Sequence, residues 1–163
     1  MLCFDFDSGQ AEPRWGAVND GVMGGLSEGV AKIEDGVMHF SGRLSLANNG
    51  GFSSVRTLDY RADLEGAEGI RLRVLGDGRT YQLRIGTNAK FRGSRIAYKA
   101  DFKTQKGKWC EVEIPFDSLA PSWRGMRLKG PDFDLKQVSQ VGLLIGDKKA
   151  GPFSLKVDWI KSY

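Results

Sequence analysis

At 163 residues the chain has the size of one domain, able to bury about 70% of the surface that its unfolded form exposes. Hydrophobic residues make up 40% of it and charged residues 27%, with four Trp and nine Phe, which excludes a disordered chain and supplies a real core. The formal net charge is +4, and no apolar run approaches the ~20 residues that span a bilayer.

The first residues, MLCFDFDSG, carry neither a basic n-region nor a long apolar stretch, and they lack the Arg-rich amphipathic character of a mitochondrial presequence. A cytoplasmic home is expected. Cys3 and Cys110 show no CxxC or other ligand spacing. Two buried free thiols in a reducing compartment are the favoured reading, and one disulfide is the alternative. No Asn-x-Ser/Thr acceptor occurs.

Residues 15–27 read WGAVNDGVMGGLS. Asn19, Asp20, Gly21, Gly24 and Gly25 are interleaved there with Trp15, Val18, Val22, Met23 and Leu26. A buried irregular backbone strands its N–H and C=O groups, so loops are usually polar. A glycine-dense loop bearing large apolar side chains therefore folds them onto the core or presents them to a partner. Trp15 and Leu26 are expected in the core and Met23 partly exposed, with Asn19 and Asp20 also reading as an Asx-type turn before Gly21.

Glu34-Asp35-Gly36 reads as a hairpin. Residues 48–56, NNGGFSSVR, supply a tight reversal, after which Phe52 and Val55 anchor an emerging strand. Ile70, Leu72 and Val74 alternate with Arg71 and Arg73; Tyr81, Leu83 and Ile85 alternate with Gln82 and Arg84. Gly76-Asp77-Gly78 is expected to join these two strands as a hairpin. Ile96, Tyr98, Ala100 and Phe102 alternate with Arg95, Ala97, Lys99 and Asp101, again the period of strands with one wet face. Further strands fall at 108–114, 141–145 and 153–160. The pattern predicts an all-β single domain over 1–163, with about nine or ten strands spaced as in a sandwich. The longest irregular piece, 117–136, is expected to be functional or to hold a small helix. Residues 134–138 read as one turn capped by Asp132 or Asp134.

Little in the chain suggests catalysis. His39 is the single histidine and alternates with Met38 and Phe40, as an outward or satisfied side chain would. Zinc sites want three or four His or Cys ligands, and neither a P-loop nor a GxGxxG occurs. Asp5, Asp7, Asp20 and Asp158 read first as structural hydrogen-bonding groups. Oxygen ligands for a structural Ca²⁺ are the second reading, and an acid–base pair the third. No enzyme, metal or other cofactor is expected.

Charge is more telling. Arg71, Arg73, Arg84, Arg95 and Lys99 fall on the polar sides of their strands and are expected to gather into one basic face for an acidic or phosphate-bearing ligand. A merely solvated face, with lysines blocking edge pairing, is the alternative. Residues 120–127, with Trp123, Arg124 and Met126, carry the residue types enriched at interface hot spots. A fold-back of Trp123 as a lid on the sandwich is equally open.

The segments at 15–27 and 48–56, together with GDGRTYQLRI at 76–85, WCEVEIPF at 109–116 and GLLIGDKKAGPF at 142–153, resemble the complex I intermediate-associated protein family. That family is best known for an assembly factor of mitochondrial respiratory complex I. The resemblance spans nearly the whole chain and implies a galactose-binding-like jelly roll, similar to carbohydrate-binding modules. It also implies a non-enzymatic, protein-binding assembly factor or chaperone for a respiratory NADH dehydrogenase, here as a bacterial-type stand-alone member. The partners would be subunits or assembly intermediates of that complex, masked until their proper neighbours arrive. A carbohydrate- or small-ligand-binding module is the alternative, and nucleic-acid association, suggested by some plant relatives, comes third.

Overall fold

The alternating segments of the sequence are strands in the computed structural model, which describes residues 2–8, 13–19 and 25–163. In chain order they are β1 (Cys3–Asp5), β2 (Arg14–Asn19), β3 (Glu28–Glu34), β4 (Val37–Leu44), β5 (Ser53–Leu58), β6 (Gly69–Leu75) and β7 (Thr80–Phe91). Then follow β8 (Ser94–Lys103), β9 (Trp109–Pro115), β10 (Ala120–Trp123), β11 (Met126–Arg127), β12 (Gln140–Ile145) and β13 (Gly151–Ser162). Three short 3₁₀ turns are the helical content of the described residues.

Two antiparallel sheets form a sandwich. The first has the order β3-β4-β13-β6-β9, with β1 added on β13; the second runs β11-β10-β8-β7-β12-β5-β2. The central strands turn their apolar sets inward, whereas Val30 and Ile33 on the edge strand β3 stay exposed. From the first sheet come Met38, Phe40, Leu72, Val74, Leu155 and Val157, and from the second Val55, Tyr81, Leu83, Ile85, Tyr98, Val141 and Leu143, all fully buried. Phe40 meets Tyr81 and Phe153 edge-on at 6.4 and 5.0 Å, which ties the two layers together.

The all-β expectation holds, and the structure adds strands: thirteen among the described residues, because β1, β10 and β11 are too short to show a period. The Glu34-Asp35-Gly36 hairpin forms between β3 and β4 with Asp35 and Gly36 at φ 54° and 74°, as a two-residue primed turn requires. The hairpin at Gly76-Asp77-Gly78 does not form. β6 belongs to the first sheet and β7 to the second, so this segment crosses between layers. A Cβ on Gly76 would collide with the Thr104 side chain, and Gly76 bridges Lys106 in parallel. The long segment after β9 is no structureless loop either, since it holds the β10–β11 hairpin. Asp134 does cap a turn, its carboxylate accepting the Lys136 N–H at 3.1 Å.

Cys110 is a free, half-buried thiol. Cys3 lies on β1 with β13 and β6 between it and β9, three strand spacings of about 4.8 Å each. A disulfide, limited to about 7 Å between Cα atoms, cannot join them.

The glycine-rich segment at 15–27 divides. Trp15 packs on Phe4 and Phe6 at 5.3 and 5.9 Å, as expected of a core-facing ring. Leu26 is instead 60% exposed, a correction. Its neighbour Ser27 turns inward and bonds both N–H and C=O of Ser45, and alternation then sends Leu26 outward. Asp20, Met23 and residues 21, 22 and 24 lie outside the described residues. Asn19 clips the two sheets together: its Nδ2 donates to Gly29 O on β3 at 3.2 Å and its Oδ1 accepts from Ser53 on β5 at 2.5 Å. In urea unfolding, Trp15→Ala is expected to cost about 2–5 kcal/mol and Leu26→Ala no more than about 0.5 kcal/mol. Equal losses would show that Leu26 is packed after all.

Candidate functional site

The outward positions of the second sheet form its solvent face. Across the middle of that face the register aligns Gly16, Arg56, Gly142, Arg84, Lys99 and Ala120 on six successive strands. One row along lie Gln140, Gly86, Ala97 and Ser122. Arg95 lies over the gap at Gly86: a Cβ there would sit 2.5 Å from the Arg95 Cδ. Arg84 is half-buried, and burial alone pulls its guanidinium below the ordinary arginine value. Arg95 is lowered too, first by burial and then by the charges of Arg56 and Arg61. Among the described residues no carboxylate pairs with Arg56, Arg84, Arg95 or Lys99. The buried Oε1 of Gln82 and Oγ of Ser122 on this face have no hydrogen-bond partner among the described residues.

An open groove of about 520 Å³ adjoins this row, lined by Gln82, Lys99, Asp101, Glu113, Ser118 and Ala120. It opens where β10 begins, since β10 pairs only with residues 97–99 of β8. No aromatic ring stands on the described outward positions of β2, β5, β12, β7, β8 and β10.

The single basic face expected from the sequence is therefore two faces. Arg71 and Arg73 sit on β6, on the far side of the sandwich. There Arg71 pairs with Glu113 and stacks over Tyr163, while Arg73 meets Asp158 at 3.2 Å and stacks over Trp109. Both are matched by neighbours in their own sheet. Arg84, Arg95 and Lys99 do come together. The strand alternation was legible, but the assignment of β6 and β7 to opposite layers was not. Arg56 and Gly142 were missed because nothing local announces that β12 inserts between β5 and β7.

At one end of the sandwich the hairpin tips of β7–β8 and β10–β11 meet. Trp123 Nε1 donates to Ser94 Oγ at 2.6 Å, the ring stands edge-on to Phe91 at 5.2 Å, and Arg92 and Arg124 flank it at 5.5 and 5.1 Å. The ring thus folds back as a half-buried lid, whereas Arg124 and Met126 remain exposed.

The other end holds a polar clamp. Arg79 Nε and Nη2 donate to the two oxygens of Asp147 at 2.9 and 2.6 Å, and Arg79 also donates to the carbonyls of Lys149, Gly151 and Pro152. Asp147 is held below the ordinary carboxylate value, chiefly by those bonds. Asp77 accepts from Tyr81 OH at 3.1 Å and from Ser154 N–H at 2.8 Å. The motifs GDGR and GDKKAGPF are thus brought together for architecture.

Asp158 is taken by Arg73, and the described residues hold no cluster of three or more His, Cys, Asp and Glu that would suit a metal ion. No helix of the described residues is long and apolar enough to cross a membrane.

Comparison with known proteins matches this frame. The chain resembles a family 11 carbohydrate-binding module of the cellulosomal cellulase Lic26A-Cel5E of Clostridium thermocellum at TM-score 0.72 and 15% identity, over 98% of this chain and 93% of that one. The same family's module in complex with a β-1,3-1,4-mixed-linked tetrasaccharide superposes at TM-score 0.71 and 17% identity, over 95% and 93%. These likenesses show the jelly-roll fold. In sequence, the mitochondrial complex I intermediate-associated protein 30 of Mus musculus is 28% identical over 172 residues, covering 90% of this chain and 51% of that protein. The chain thus spans about half the length of that curated relative. The family model of complex I intermediate-associated protein 30 matches residues 4–157, and the chain belongs to that family.

Proposed function

We propose that this chain is a non-catalytic binding domain that acts in the assembly of a respiratory NADH dehydrogenase, holding a subunit or intermediate until its neighbour arrives. The observation that carries the reading is the face of the second sheet. It holds Arg56, Arg84, Arg95 and Lys99 in one region with no described carboxylate pairing. Like charges held together cost energy in the free protein, and a partner bearing acidic or phosphate groups offsets that cost. Family membership supplies the direction: the mouse relative is by name associated with complex I intermediates. Location in the bacterial cytoplasm belongs to the same proposal.

A carbohydrate-binding role draws support from the groove beside β10. It is the weaker reading, because the described outward positions offer no ring on which a neutral sugar would stack.

Recovery of the tagged protein from its own cells tests this. Dehydrogenase subunits are expected to co-purify and to be released as salt rises. Arg84→Glu with Arg95→Glu should cut their recovery at least about tenfold while the melting temperature stays within a few degrees. Undiminished recovery, or the absence of dehydrogenase subunits from the eluate, would remove the reading.

A further inference from the structure

The same face contains a more specific device than a field of positive charge. Arg56 and Arg84 are both register partners of Gly142, so their Cα atoms stand two strand spacings apart, roughly 10 Å. Gly142 puts no side chain between them, and a Cβ there would press on the Val55 carbonyl at 2.8 Å and the Arg56 Cβ at 3.3 Å. Arg95 lies across the adjacent gap at Gly86, near enough to Arg56 and Arg61 for their charges to disfavour its own. The result is a cluster in which two arginines flank a buried glycine and a third stands at one end.

We infer that this arginine cluster binds the phosphate group of a small, hydroxyl-bearing phosphate monoester. The inference rests on reading the face as a binding surface, but not on the identity of any protein partner. Planar guanidinium groups match phosphate oxygens two at a time. A tetrahedral dianion offers enough oxygens for two or three of them at once, whereas one carboxylate offers two oxygens and a single charge. The desolvation of half-buried Arg84, which pairs with no carboxylate among the described residues, is offset when such an anion arrives.

The hydroxyl requirement comes from the orphaned acceptor. Gln82 is two residues from Arg84 on the same face of β7, and its buried Oε1 has no described donor. A buried acceptor left unpaired is costly, and rotation of the Gln82 amide toward the groove that it lines lets a ligand hydroxyl beside the phosphate satisfy it. The groove runs on from Gln82 and Lys99 past Asp101, giving the body of such a ligand a polar bed.

Calorimetric titration of the full chain at constant ionic strength, with chloride exchanged for the probe, tests this. Inorganic phosphate is expected to bind saturably at one site, and glucose 6-phosphate at least about fivefold more tightly. Arg84→Gln and Arg56→Gln should each weaken both at least about tenfold, while Arg43→Gln on the opposite sheet changes neither. Gln82→Leu should remove the advantage of glucose 6-phosphate and leave inorganic phosphate binding intact. Arg56 is exposed, so its variant keeps the test meaningful if Arg84→Gln folds poorly. Heats no larger than those of matched chloride would overturn the inference, as would equal binding by Arg56→Gln. A phosphoserine peptide that binds where glucose 6-phosphate does not would overturn the small-molecule assignment. Partner recovery in the co-purification experiment does not depend on any of these titrations, so the two proposals fail separately.

Discussion

Arg79→Ala is expected to lower the unfolding free energy by about 3–5 kcal/mol, the cost of stranding one member of a buried ion pair. The side chains of Arg79 and Asp147 are only 12% and 9% exposed, so water reaches the abandoned carboxylate poorly. The loss extends past the pair, because three backbone carbonyls at 149, 151 and 152 lose their donor at the same time. Those carbonyls lie on the link from β12 in the second sheet and on the first two residues of β13 in the first. Arg79→Lys should recover only a small part, since an ammonium cannot reproduce the planar fork. Acid gives the matching signature. Asp147 has a folded value below its unfolded one, so its contribution is fully present above about pH 4 and fades as pH falls through the folded value. The difference between wild type and Arg79→Ala in urea melts should therefore be smaller at pH 3 than at pH 7. A constant difference across that range, or a loss under about 1 kcal/mol at pH 7, would show the clamp to be incidental.

Tyr81→Ala should cost about 3–5 kcal/mol, the range for removing a buried aromatic. Its ring is fully buried, edge-on to Phe40 and stacked on Phe102 at 6.2 Å, so the cavity would open between the two layers. Tyr81→Phe separates the hydroxyl from the ring. The O–H donates to Asp77, and loss of a bond to a charged acceptor is worth about 1.5–3 kcal/mol. Burial, reinforced by Asp77, pushes the phenol well above its ordinary value, so wild type and Tyr81→Phe should differ by the same amount from pH 6 to 9. Indistinguishable stability of Tyr81→Phe and wild type would mean that Asp77 is held by Ser154 and its own turn alone.

The sequence disclosed those features that repeat along one strand. The alternation at 70–74, 81–85 and 96–102 placed Ile70, Leu83 and Tyr98 inward, where each is now found buried. What it hid was partnership between distant strands. Gly76-Asp77-Gly78 carries the local chemistry of a hairpin, yet Thr104 and Lys106 draw the chain into the other layer. Arg79 and Asp147 lie in two motifs 68 positions apart. Only closure of the sandwich brings them into contact. The same reason split Arg71 and Arg73 from Arg84: each side chain's outward direction was readable, but which layer it left from was not. Arg56 shows the converse, a side chain joined to the basic row by a strand inserted from near the C-terminus.

The outer faces of the two layers also differ in their electrical balance. The first sheet answers Arg71 and Arg73 with Glu113 and Asp158, while among the described residues no carboxylate pairs with the central cations of the second. The domain consequently carries a permanent dipole moment along the normal to its sheets, beyond what a net charge of +4 conveys. An anionic body approaching through water exerts a torque on such a molecule, and Brownian tumbling is biased so that the arginine row leads. Productive encounters then fill a larger share of all collisions, which raises the association rate constant without adding any contact to the finished complex.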